Sequence, residues 1–205
     1  MSIGNNEIAQ IISILGTGKL PMTGGPAGTL KPVIAQTMPY EKTTGTPTAS
    51  TGVMDLSAIY LPIGATITSI NYINNTTAEA TGTHLWFALY DDGRGSSTAG
   101  QLACLGQTPD QTGAAAFGAS VNLGLSLISP VTTTYSGIYY VAFMCAAGTL
   151  PNLTGITRAS TASIQLAASA GALLSGTAGS GLTTTAPNPS GAITASNRTQ
   201  YAYLS

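Results

Sequence analysis

The spacing of apolar residues changes character twice along the chain. In residues 1–20, Ile8, Ile11, Ile12 and Leu15 recur at i, i+3, i+4 and i+7, which predicts one face of a short helix. Asn5 or Asn6 is placed to cap its start, and Gly16 follows its end. About three helical turns are marginal alone, so this stripe must lie against its own domain or another chain. Residues 21–52 keep no period; Pro and Gly recur every few positions with Thr and Ser between them, which predicts an extended arm. Its apolar anchors are Val33, Ile34 and Met38. Apolar anchors on an extended segment suit strand addition or groove docking, so the seven residues Ile8, Ile11, Ile12, Leu15, Val33, Ile34 and Met38 are the candidate assembly interface.

From Val53 onward the period is that of strands. In TITSINYI, alternation sets Ile67, Ser69, Asn71 and Ile73 on one face and Thr68, Ile70 and Tyr72 on the other. In HLWFALY, Leu85, Phe87 and Leu89 oppose His84, Trp86, Ala88 and Tyr90, and Asp91-Asp92-Gly93 reads as a turn. SVNLGLSLISPVTTTYSGIYYVAFMCAAGT predicts two strands separated by Pro130 and Gly137. The second is apolar on both faces, as in a central strand covered on each side. Leu85, Phe87 and Leu89 should share one inter-sheet layer with Val141 and Phe143. Residues 156–205 are a low-complexity mix of Ala, Ser, Thr and Gly that predicts strand and loop, with a polar tail ending YAYLS. The expected architecture is all-β: an antiparallel, jelly-roll-like β-sandwich over residues 53–205, preceded over residues 1–52 by the helix and an attachment arm.

Composition narrows what such a domain can do. Of 205 residues only 6% are charged, where an ordinary soluble domain has about 25%. The net charge is −1, and the six basic residues are scattered singly, which argues against nucleic acid as a partner. No run of about 20 apolar residues predicts a membrane span. The opening MSIGNNEIAQ lacks a basic n-region and makes a poor secretory signal, so Cys104 and Cys145, both in apolar settings, are expected as reduced thiols. A surface this poor in charge offers little repulsion between copies and suits a symmetric assembly.

Candidate chemistry is thin. The single histidine, His84, would have to serve any Ser-His-Asp or Cys-His arrangement, and it sits on a strand face. No His/Cys cluster has zinc spacing, so neither a metal nor a cofactor is expected. Asp91-Asp92-Gly93-Arg94-Gly95 is a turn that lacks the closing Glu of an EF-hand loop, and adjacent acids on a strand diverge, so they make a poor glycosidase pair. Gly16-Thr17-Gly18-Lys19 fails the phosphate-loop pattern because Leu20 follows the lysine. Tyr135, Tyr139, Tyr140, Tyr201, Tyr203 and Trp86 suit either a sugar platform or core packing.

Three segments carry a family resemblance: Leu61–Ile70 (LPIGATITSI), Trp86–Gly93 (WFALYDDG), and Pro130 followed by Gly137–Ala142 (GIYYVA). Over residues 55–155 the chain resembles the β-sandwich surface proteins of tailed bacteriophage virions. The resemblance implies a non-enzymatic virion protein, a capsid decoration protein in the first place and a minor tail or fibre protein or a receptor- or glycan-binding module in the second. It implies display on the virion surface, a homotrimer by analogy, and contacts with major capsid or tail proteins. It transfers no catalytic residue.

Overall fold

The computed structural model describes residues 33–112, 117–158 and 173–205. The helix expected around Ile8, Ile11, Ile12 and Leu15 lies outside the described residues. Within them the protein is all-β. The strands are β1 (Ala35–Gln36), β2 (Val53–Leu61), β3 (Thr66–Ile73), β4 (Ala80–Tyr90), β5 (Cys104–Gln107), β6 (Asn122–Thr132) and β7 (Gly137–Thr149). They continue as β8 (Gly155–Thr157), β9 (Ser175–Ala178), β10 (Ile193–Ala195), β11 (Arg198–Gln200) and β12 (Ala202–Leu204).

All pairings are antiparallel, and four of them nest: β1 with β12, β2 with β7, β3 with β6 and β4 with β5. Two further pairings, β12 with β3 and β7 with β4, join these pairs side by side. The result is a four-stranded sheet, β1-β12-β3-β6, and a six-stranded sheet, β10-β9-β2-β7-β4-β5. β8 and β11 form a separate two-stranded ribbon.

The two sheets enclose one apolar layer. Leu85, Phe87 and Leu89 of β4 and Val141, Phe143 and Cys145 of β7 meet Ile67, Ile70 and Tyr72 of β3 and Ala202 and Leu204 of β12. Phe87 and Phe143 are register partners with ring centroids 5.7 Å apart. Tyr72 reaches from the opposite sheet to 4.7 Å from Phe87 and 5.3 Å from Phe143. The expected layer of five side chains is therefore present. The other face of β7 is buried as well: Tyr140, Ala142 and Met144 pack with Trp86, Tyr90, Met54 and Leu56 beneath Leu102, Ala178 and Ala186. A strand covered on both faces has no reason to alternate polar with apolar residues, and β7 does not.

The structure departs from the sequence reading at four places. A register shift between Ile67 and Ser69 lets Ile67 join Ile70 and Tyr72 in the core, although strict alternation would put them on opposite faces. Pro130 does not separate strands; β6 runs through it. β6 ends its sheet, and a residue without an N–H is tolerated on an edge. The YAYLS tail is not a solvated end: β12 sits between β1 and β3, with Ala202 and Leu204 fully buried. Finally, residues 33–52 are continuous with the β domain. β1 pairs with β12, and Ala49 joins the main core.

This last point gives a truncation test. Removing residues 1–32 leaves every described contact in place, whereas removing residues 1–50 takes away β1 and the burial of Val33 and Ala49. The longer deletion is expected to cost about 2–3 kcal/mol relative to the shorter one, measured by urea denaturation. Equal stability of the two truncations would contradict this docking.

Candidate functional site

The candidate interface residues fall in two places. Ile8, Ile11, Ile12 and Leu15 lie outside the described residues. Val33 is buried against Tyr201 and Tyr203, with Met38 and Ile73 packed alongside, and Ile34 packs against the main core. The arm anchors thus meet their own domain, and backbone bonds from Ile34 N to Leu204 O (2.8 Å) and from Thr37 N to Ala202 O (2.9 Å) hold them there. What Ile34 and Met38 still offer another chain is their half-buried remainder.

Having docked, the arm builds one wall of a groove. After β1 a single 3-10 turn, Tyr40–Lys42, brings the Tyr40 ring to 5.3 Å from Tyr201, edge to face, while leaving it 49% exposed. The chain then runs along residues 152–155, with bridges from Gly45 to Gly155 and from Thr48 to Asn152. On its other side that segment bridges Leu153 to Asn74, just past the end of β3. Between these walls lies a cavity of about 570 Å³. Tyr40, Thr44, Thr46, Asn75 and Thr154 are among its lining residues, as is the buried Asn74. None of its lining residues is charged.

A second polar group is internal. Asp55 on β2 is 1% exposed and meets the Arg198 guanidinium at 3.3 Å. Arg198 also donates to the Thr48 carbonyl. Next to Asp55 on the strand, Ser57 Oγ donates to Gln200 Oε1 at 3.1 Å and accepts from Gln200 N at 3.1 Å. Loss of hydration on burial pushes the Asp55 carboxyl up to about 6, against the opposing pull of Arg198 and Gln200. Burial, with a smaller contribution from the same carboxylate, holds the Tyr72 hydroxyl well above its ordinary range. These residues pin the β8–β11 ribbon to the large sheet.

The residues singled out for chemistry have structural partners. His84 Nδ1 lies 2.7 Å from Asp110 Oδ2, and Asp110 Oδ1 accepts from Leu85 N. No hydroxyl or thiol among the described residues completes a triad there. Cys104 and Cys145 are both free, and burial, helped by nearby Glu79, pushes the Cys145 thiol up to about 12. Such a thiol is a poor nucleophile. Among the described residues no three His, Cys, Asp or Glu side chains converge as a metal site, and no helix is long and apolar enough to cross a membrane. The tyrosines do not form one platform. Tyr139 is in the main core, Tyr140 and Trp86 are in the outer layer, and Tyr201 and Tyr203 lie under the arm. Tyr135 stacks on Tyr139 at 4.7 Å and carries Arg94 over its ring at 4.0 Å.

The acidic turn shows how adjacent carboxylates diverge. Asp91, 4% exposed, accepts from Gly93 N (2.8 Å), Gly95 N (2.7 Å) and Ala103 N (3.1 Å). Asp92 faces outward to Arg94 Nε at 2.9 Å and to the Tyr135 hydroxyl at 3.0 Å. Gly93 has φ of 93°, where a side chain would be strained and its Cβ would meet Gln101 O at 2.8 Å. Replacing Asp91 by Ala strands three amide donors and is expected to cost about 1–3 kcal/mol by urea denaturation. Replacing Asp92 by Ala should cost less than about 1 kcal/mol, and the reverse order would contradict this assignment.

Sequence reasoning did not find the groove. Its lining comes from residues 40, 43–46, 73–75, 120 and 154, and no local pattern links them. Comparison with protein-family models and with curated protein sequences gives no match.

Proposed function

We propose that this chain is a non-enzymatic structural protein of a bacteriophage virion, a capsid decoration protein displayed as a homotrimer on the particle surface. The observation that carries the reading is the nested strand order. First with last, second with seventh, third with sixth and fourth with fifth is the order produced when one long hairpin is rolled into a jelly roll, counting β1 to β7 and then β12. Jelly rolls are a recurrent architecture of viral capsid and lectin domains. In this reading β8 to β11 are an insertion before the last strand, and the apolar stripe of Ile8, Ile11, Ile12 and Leu15 supplies attachment to the shell.

Composition supports the same reading. A charge content of 6% gives little repulsion between neighbours in a crowded shell. Asp91 holds a turn, and Asp55 and His84 are engaged with Arg198 and Asp110. The resemblance to phage surface proteins also admits a minor tail or fibre protein. Copy number separates these positions. Quantitative mass spectrometry of purified particles is expected to find this chain at hundreds of copies per particle; a few copies would move it to the tail, and absence from the particle would overturn the reading.

A further inference from the structure

We infer that the groove between the arm and the end of β3 is a binding site for a neutral oligosaccharide. The inference stands apart from where the protein resides, because it rests on the groove alone. The cavity, about 570 Å³, is within the usual size of small-molecule sites, about 300–1,000 Å³.

Its walls are held in place before any ligand arrives. Thr44 N and Gly45 N both donate to Gly155 O, at 3.1 and 2.9 Å, and Gly155 N returns a bond to Gly45 O at 3.2 Å. Across the groove, Asn75 N donates to Asn152 O at 2.7 Å and Thr154 N to Ile73 O at 2.8 Å. Ser120 Oγ donates to Asn75 O at 2.9 Å. A site fixed this way loses little conformational entropy on binding.

The lining selects the chemistry. Hydroxyls and amides predominate, from Thr44, Thr46, Asn75 and Thr154, and charge is absent, so neither an anion nor a cation finds a counter-ion. Asn74 is a buried, fixed part of the wall: its Nδ2 donates to Thr77 O at 2.7 Å and to Gly118 O at 2.6 Å. Tyr40 supplies the apolar surface: its ring is braced by Tyr201 yet about half exposed. Aromatic rings pack against the C–H face of a sugar ring while a phenol hydroxyl stays wet. One braced aromatic, several hydroxyls and amides and no charge together match a neutral polyhydroxylated ring.

The test is an array of neutral oligosaccharides of the gluco, manno, galacto and N-acetylated series, together with sialylated and uronic-acid glycans, probed with the full chain. Binding to at least one neutral series is expected. Tyr40→Ala and Asn75→Ala should each weaken that binding about tenfold or more. Tyr40→Ala should leave the melting temperature nearly unchanged, because the side chain is half exposed; Asn75→Ala provides a second reading should it not. No binding to any neutral oligosaccharide, binding to acidic glycans only, or full binding by both variants would overturn the inference. So would binding of a synthetic peptide of residues 1–32 in the groove with no sugar bound.

Discussion

Replacing Phe143 by Ala is expected to destabilise the domain by about 3–5 kcal/mol and to lower its melting temperature by about 6–20 °C. Phe143 is fully buried at the centre of the inter-sheet layer, and three aromatic neighbours rest on it: Phe87 at 5.7 Å, Tyr72 at 5.3 Å and Phe117 at 6.5 Å. Those neighbours belong to both sheets and to the loop after β5, so the space left by the ring cannot be closed by moving one element. The cost is therefore the lost transfer free energy plus an unfilled cavity. Ile128 provides the contrast. It is 64% exposed on the β6 edge, and Ile128→Ala should change stability by about 0.5 kcal/mol or less. Urea denaturation of both variants checks the pair; a Phe143→Ala loss below about 1 kcal/mol would mean that the two sheets do not close on this ring.

The second large effect depends on pH. Arg198→Ala is expected to cost about 3 kcal/mol at pH 8, because it leaves the Asp55 carboxylate buried without its cation. At pH 5 the loss should be much smaller, since a protonated Asp55 needs no counter-charge. The direction follows from Asp55 itself. Its carboxyl titrates near 6 in the folded protein against an ordinary 3.8. A carboxyl raised on folding contributes stability that is fully present below about 3.8 and is lost as pH rises through about 6. At 1.36 kcal/mol per unit, the wild-type contribution from this group changes by about 2 kcal/mol between pH 4 and pH 7, in favour of acid. Asp55→Asn should flatten that dependence and should restore Arg198→Ala at pH 8. Urea denaturation at pH 5, 6.5 and 8 distinguishes the outcomes; an Arg198→Ala loss that is the same at all three would contradict the buried-charge account.

The parts of the fold legible in the sequence are those where side-chain period and burial agree. β4 alternates because one face meets the inter-sheet core and the other meets Leu102 and Ala186, and its two faces came out as the spacing indicates. β7 announced its central position by being apolar on both. β3 misled because a single register shift at Ile67 reverses the face of what precedes it, and a bulge has no reliable sequence mark. β12 was missed for a different reason. Three residues cannot show a period, and Tyr201 and Tyr203 read as polar until Val33 and Met38 are seen to cover them. The arm read as an extended attachment segment because its Pro and Gly residues leave no period, and nothing in that pattern showed that residues such as Val33 and Ala49 are buried in its own domain. The groove had no sequence signal at all. Tyr40 is an isolated aromatic among polar residues, and only the bridges from Gly45 to Gly155 and from Asn74 to Leu153 bring it near Asn75 and Thr154.

The proposal that this chain is a rolled β-sandwich carried on a virion surface is tested most directly by a cryo-electron microscopic reconstruction of purified particles. The account predicts density for two facing sheets, four and six strands wide, at repeated positions on the outer shell. Particles whose outer surface and tail both lack such density, with the chain found only in the unassembled fraction, would contradict it.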